Sequence, residues 1–145
     1  MILVLGYGNT TRSDDGVGIY IAEKIAAQNL PRVEVQTAQQ LQIELVEEMT
    51  RYHEVYLIDA SSEGSPFSIS KLEAVDSKKS ATSHGVDVAF LVQLMKKLHI
   101  KHPDIYLCTV KGRNFDFGEN LSPEVRQNAN QLFEEISKQL ISRSR

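Results

Sequence analysis

Three residues in this sequence have the type and placing that chemistry at a polar centre needs. Asp15 follows Asp14 at the end of a glycine-bounded stretch, Gly6-Tyr7-Gly8-Asn9-Thr10-Thr11-Arg12-Ser13-Asp14-Asp15-Gly16-Val17-Gly18. Asp59 ends the apolar run Val55-Tyr56-Leu57-Ile58, and His84 sits in Thr82-Ser83-His84-Gly85 ahead of a new helical pattern. Two carboxylates and an imidazole form an oxygen, oxygen, nitrogen donor set for a divalent ion, with positions left over for water and substrate. Each residue also has an ordinary reading. Asp14 could be a helix N-cap, and Asp59 could close a turn through Ser61 or Ser62. A second carboxylate beside Asp14 is not needed for capping, and the positive end of a helix favours its ionised form, the form a cation ligand requires. Spacing alone does not select this set, since any three such residues can be grouped.

Other chemistries fit less well. The opening Gly6-Tyr7-Gly8 invites a dinucleotide reading, but that fingerprint wants a small residue where Thr11 stands and an acidic residue where the second strand ends, here Gln36-Thr37. Asp14 and Asp15 at the helix opening would also repel a pyrophosphate. No Walker-type loop and no Gly-x-Ser-x-Gly elbow is present. The single cysteine, Cys108, lies in the middle of an apolar run and reads as a small buried residue rather than a nucleophile. His53 stands at the start of a strand, and His99 and His102 fall near a helix end, where a partial positive charge is favourable without any function.

The elements that must position these residues follow from periodicity. Ile2 to Leu5 reads as a strand buried on both faces and ended by Gly6. Val17, Ile21 and Ile25 recur at helical spacing up to Asn29-Leu30-Pro31. Arg32 to Thr37 alternates as a second strand; Leu41, Leu45, Val46 and Met49 give a helical stripe; Val55 to Asp59 is a third strand. Phe67 to Leu72 is compatible with a strand and Glu73 to Ser83 with a polar loop. Val88, Leu91, Val92, Met95 and Leu98 predict a helix, Ile105 to Val110 a strand, and Lys111 to Asn120 an exposed loop in which Arg113 or Phe115 could contact a partner. Ser122 as N-cap and Pro123 at the first helical position open a long terminal helix. Alternating strands and helices predict an α/β, three-layer fold: a twisted, mostly parallel central sheet flanked by helices on both faces. Ligands then bind beyond the carboxyl ends of the strands, after Leu5, Thr37, Ile58 and Val110.

Composition sets the class. At 145 residues the chain suits one domain, residues 1–145. A formal charge of −3 and a pI near 5.8, with no basic stripe, argue against a nucleic-acid partner. One cysteine excludes an internal disulfide framework. No apolar run approaches a membrane span and the first residues carry no charged leader, so a cytoplasmic setting is expected.

The segments Leu3-Val4-Leu5-Gly6-Tyr7-Gly8-Asn9 and Asp14-Asp15-Gly16-Val17-Gly18 resemble the opening of the [NiFe]-hydrogenase maturation endopeptidases. The resemblance continues through Leu57-Ile58-Asp59-Ala60, the Ser83-His84 loop, and Gly118 to Val125. It implies an activity, removal of the C-terminal extension from a hydrogenase large-subunit precursor after nickel insertion. It also implies that the family's three metal-contacting residues fall on Asp15, Asp59 and His84, where many members carry glutamate at the first. The nickel would arrive with the precursor, and no tightly held organic cofactor is expected. One departure is Gln36-Thr37-Ala38-Gln39-Gln40, where family members often have an acidic, glycine-rich turn; this turn bears on the choice of hydrogenase. The rival readings are a non-enzymatic metal- or nucleotide-binding maturation chaperone and a hydrolase holding its own zinc. Oligomeric state is left open, monomer included.

Overall fold

The computed structural model describes residues 1–42, 44–72, 93, 97 and 103–143. Five strands form one sheet: β1 (Ile2–Tyr7), β2 (Val33–Ala38), β3 (Glu54–Ser61), β4 (Phe67–Lys71) and β5 (Asp104–Lys111). Their order is β2-β1-β3-β5-β4, with every pair parallel except β4 against β5. The helices are α1 (Val17–Ala26), α2 (Leu45–Met49) and α3 (Pro123–Arg143), and a 3-10 turn, Ser13–Gly16, precedes α1. The expected α/β architecture is present. The predicted helix around Val88–Leu98, the Glu73–Ser83 loop and His84 fall outside the described residues, apart from helical Gln93 and Lys97. Among the described residues, no helix is long and apolar enough to cross a membrane.

Strand alternation divides the core in two. Ile2 and Val4 of β1, Tyr56, Ile58 and Ala60 of β3, and Cys108 and Val110 of β5 point to one face, where Val17, Ile21 and Ile25 of α1 meet Val125, Leu132, Ile136 and Leu140 of α3. The alternate residues Leu3, Leu5, Tyr7, Val55, Leu57, Ile105 and Leu107 meet Leu41 and Met49 on the other face. Burial on both faces explains why β1 and β3 read as continuous apolar runs rather than alternating ones.

Two boundaries differ from expectation. β1 does not stop at Gly6 but runs on through Tyr7. The glycine is there because α1 lies almost on the strand. A Cβ on Gly6 would stand 2.3 Å from the carbonyl oxygen of Gly18, and a Cβ on Gly18 would stand 2.3 Å from the carbonyl oxygen of Ile58 and 2.8 Å from that of Tyr7. The two glycines are therefore a packing device that brings the start of α1 down onto the carboxyl ends of β1 and β3. Similarly β3 extends past Asp59 to Ser61, so Asp59 is within the strand rather than at its last position. A Gly18→Ala substitution meets backbone that cannot yield, and it is expected to cost about 3 kcal/mol, the upper end of ordinary overpacking. Urea unfolding at constant m-value measures this directly.

Candidate functional site

The corner after β1 is built backbone-first. Gly8 adopts a φ of +145°, a region closed to residues with a side chain, and turns the chain out of the sheet. Asn9 then organises the loop: its Oδ1 accepts the Thr11 N–H at 2.9 Å and the Thr11 hydroxyl at 2.6 Å. The Asn9 N–H donates to Asp15 Oδ2 at 3.0 Å, and the Asp15 N–H donates back to the Arg12 carbonyl at 3.1 Å. Asp15 is thus 4% exposed and held from both sides. Asp59 is fully buried, and its Oδ1 accepts the N–H of Ala60 at 2.8 Å. By alternation it shares a face with Leu57 and with Tyr7 of the neighbouring strand.

These two carboxylates come to the same edge. Gly18, three residues after Asp15, rests against the Ile58 carbonyl, the residue immediately before Asp59. The 3-10 turn bearing Asp15 packs against β3. The backbone thus carries Asp15 and Asp59 to the carboxyl-end side of β1 and β3. His84, the third predicted donor, lies outside the described residues. Among the described residues, no three His, Cys, Asp or Glu side chains converge as a metal site.

Tyr7 was not singled out by sequence, because a tyrosine after a glycine reads as turn chemistry. It is fully buried, and its hydroxyl pKa is pushed well up, first by burial and then by the negative charge of Asp59 nearby. At neutral pH it is therefore an O–H beside the Asp59 carboxylate. Ser61, two residues on and on the same face of β3 as Asp59, is also buried, and its Oγ has no hydrogen-bond partner among the described residues.

Asp14 has a different role from the cap expected of it. No side chain caps either the 3-10 turn or α1. Instead the Asp14 carboxylate reaches across to the start of α3. Its Oδ1 accepts the Ser122 N–H at 2.7 Å; its Oδ2 accepts the Arg113 N–H at 2.8 Å, the Asn114 N–H at 2.9 Å and the Ser122 hydroxyl at 2.8 Å. Burial alone would raise its pKa, but these donors outweigh it and hold the carboxyl below its usual value. Ser122 precedes α3 as expected, yet its hydroxyl serves Asp14.

The remaining candidates keep their ordinary readings. Cys108 is fully buried in β5 and burial pushes its thiol far up, so it supplies no thiolate. His53 precedes β3 at the amino end of the sheet, opposite the site. In the loop after β5, Arg113 forms an exposed ion pair with Glu124 of α3, and Phe115 is partly buried against the core.

No family model and no curated protein matches the chain in sequence. Solved structures do match in shape. The hydrogenase maturating endopeptidase HybD from E. coli is 23% identical, with 96% of this chain and 91% of that one covered and a TM-score of 0.79. The [NiFe] hydrogenase maturation protease HybD from Thermococcus kodakarensis is 21% identical over 96% and 98% of the two chains, with a TM-score of 0.74. The hydrogenase 2 maturation peptidase from Thaumarchaeota archaeon SCGC_AB-539-E09 is 23% identical over 96% and 97%, with a TM-score of 0.73. At these identities the likeness is one of architecture, and it spans nearly the whole of each chain. The chain has the fold of the hydrogenase maturation endopeptidases.

Proposed function

We propose that this chain is an endopeptidase that removes the C-terminal extension of a [NiFe]-hydrogenase large-subunit precursor once nickel has been inserted. The observation that carries the reading is the placing of two buried carboxylate residues, Asp15 and Asp59, on the carboxyl-end side of the sheet in a chain of this fold. Asp15, Asp59 and His84 supply hard oxygen and nitrogen donors to a nickel ion that belongs to the precursor and is already held by its thiolates. Nickel stands high in the divalent affinity order, so a few such donors suffice to recognise it when the substrate provides the rest.

The bond chemistry is hydrolysis. A water oxygen bonds to the scissile carbonyl carbon, the carbon–nitrogen bond breaks, and the proton released by water goes to the departing amine. The substrate's ion is suited to polarise that carbonyl or acidify the water. Cys108 is no alternative nucleophile, being buried and protonated. The Tyr7 hydroxyl stays protonated and so does not act as a base.

The experiment is a paired cleavage assay on nickel-loaded and nickel-free precursor, with loss of the tail followed by mass spectrometry. The nickel-free precursor is expected to be cut at least about a hundredfold more slowly, since the Lewis acid and the anchor leave together. Equal rates would remove nickel from the recognition step. Calorimetry with nickel salt alone separates this reading from a metal chaperone: the protease binds free nickel weakly, the chaperone tightly.

A further inference from the structure

We infer that Phe117, with the Arg12 guanidinium laid over its ring, is the anchor by which this chain docks the folded body of its client protein, as distinct from the tail it cuts. The inference rests on the proposed protease function and names the surface that function would use. Phe117 is 81% exposed, well beyond Met1 and Ile141, the other exposed large apolar side chains among the described residues, at 54% and 42%. A single exposed aromatic is unremarkable by itself. This one is held in place. The guanidinium carbon of Arg12 lies 4.8 Å from the ring centroid. Beneath it the loop is sewn to the site corner: the Ser13 N–H donates to the Gly118 carbonyl at 2.8 Å, the Gly118 N–H to the Thr11 carbonyl at 2.9 Å, and the Ser13 hydroxyl to the Asp116 carbonyl at 2.8 Å. Ser13 is held at a φ of +54°, a conformation that costs energy in a serine and that these bonds maintain.

Position supplies the occupant. Arg12, whose guanidinium covers the ring, stands three residues before Asp15 and accepts the Asp15 N–H at its carbonyl, so the docking pair adjoins the turn that carries the carboxylate proposed to meet the client's nickel. A protein-sized client whose metal reaches Asp15 must cover this ground. An aromatic and an arginine, fixed before binding, are the side chains that most often dominate interfaces, because little ordering is lost when they dock. The complementary surface carries an apolar recess for the ring and a carboxylate or carbonyl for the guanidinium edge.

The test compares the full-length chain with Phe117→Ser and Phe117→Leu on nickel-loaded precursor, measuring cleavage against precursor concentration and, separately, equilibrium binding. Phe117→Ser is expected to raise KM and weaken binding by ten- to a hundredfold with kcat changed less than about twofold, and Phe117→Leu to recover most of that loss. The thermal midpoint should move by less than about 2 °C, as for a surface substitution. An unchanged KM and binding constant, a fall confined to kcat, or sedimentation showing that Phe117 instead drives self-association would each overturn the inference. If the unaltered chain binds but does not cleave, the protease reading falls while the binding comparison still decides the anchor. If it neither binds nor cleaves, both fall.

Discussion

Asp59→Asn is expected to slow cleavage of nickel-loaded precursor by roughly a thousandfold or more without unfolding the protein, and Asp15→Asn to do the same. The magnitude follows from the proposed role: each substitution would remove an anionic donor from a centre where charge must be stabilised, at a position nearly free of water. The amide keeps a carbonyl oxygen for the backbone N–H that each position accepts. Asp59 Oδ1 accepts the Ala60 N–H and Asp15 Oδ2 accepts the Asn9 N–H, and an asparagine oxygen can accept either. Removing a buried negative charge also relieves a desolvation cost, so unfolding midpoints should stay close to the parent's. Asp15→Glu separates charge from shape. It restores an anionic donor on a longer arm, and activity within about tenfold of the parent is expected if ligand charge is what matters. His84→Ala belongs in the same series as the third proposed donor. Mass spectrometry of the released tail gives the rates, and circular dichroism checks the fold. Full activity in either asparagine variant would end the assignment of these carboxylates.

Much of this arrangement was legible before any coordinates. Strands buried on both faces announce themselves as unbroken apolar runs, and crossover connections then dictate a parallel sheet with its site at the carboxyl edge. That logic directs Asp15 and Asp59 to the same side of the sheet although 44 positions separate them. It failed where the deciding contact is long-range. Gly6 looked like a strand terminator because glycine usually punctuates; its actual cause is the Gly18 carbonyl, which no local pattern displays. Asp14 looked like a cap because acidic residues before helices usually are, whereas its partners lie about a hundred positions away at Arg113, Asn114 and Ser122. Phe115 and Phe117 are indistinguishable by sequence in the same loop. Only packing turns the first inward against Gly112 and leaves the second in solvent under Arg12. Periodicity thus reads which face of an element is buried, but not which pair of loops is stitched together.

That stitching is where the largest loss of stability is expected. Asp14 is fully buried and accepts four hydrogen bonds, three of them from backbone N–H groups of the loop after β5 and the start of α3. Asp14→Ala leaves those donors without acceptors in a site closed to water. Unsatisfied buried donors cost about 1–3 kcal/mol each before relaxation, so a net loss of about 3–5 kcal/mol is expected, enough to unfold a marginal domain. Asp14→Asn tests whether shape suffices. Every partner of the carboxylate can donate and the three amides can only donate, so an asparagine NH2 must face a donor whichever way it is turned. A loss of about 2–3 kcal/mol is expected, with no rescue by isosterism. The pH dependence carries a definite sign. The folded pKa of Asp14 is lowered from the ordinary carboxylate value near 3.9, so its contribution is complete above that value and disappears as pH falls through the folded pKa. The gap in unfolding free energy between parent and Asp14→Asn should therefore be constant from about pH 5 to 7 and narrow only below about pH 4. A gap that stays open in strong acid would mean that packing, not the ionised carboxylate, joins the site corner to α3.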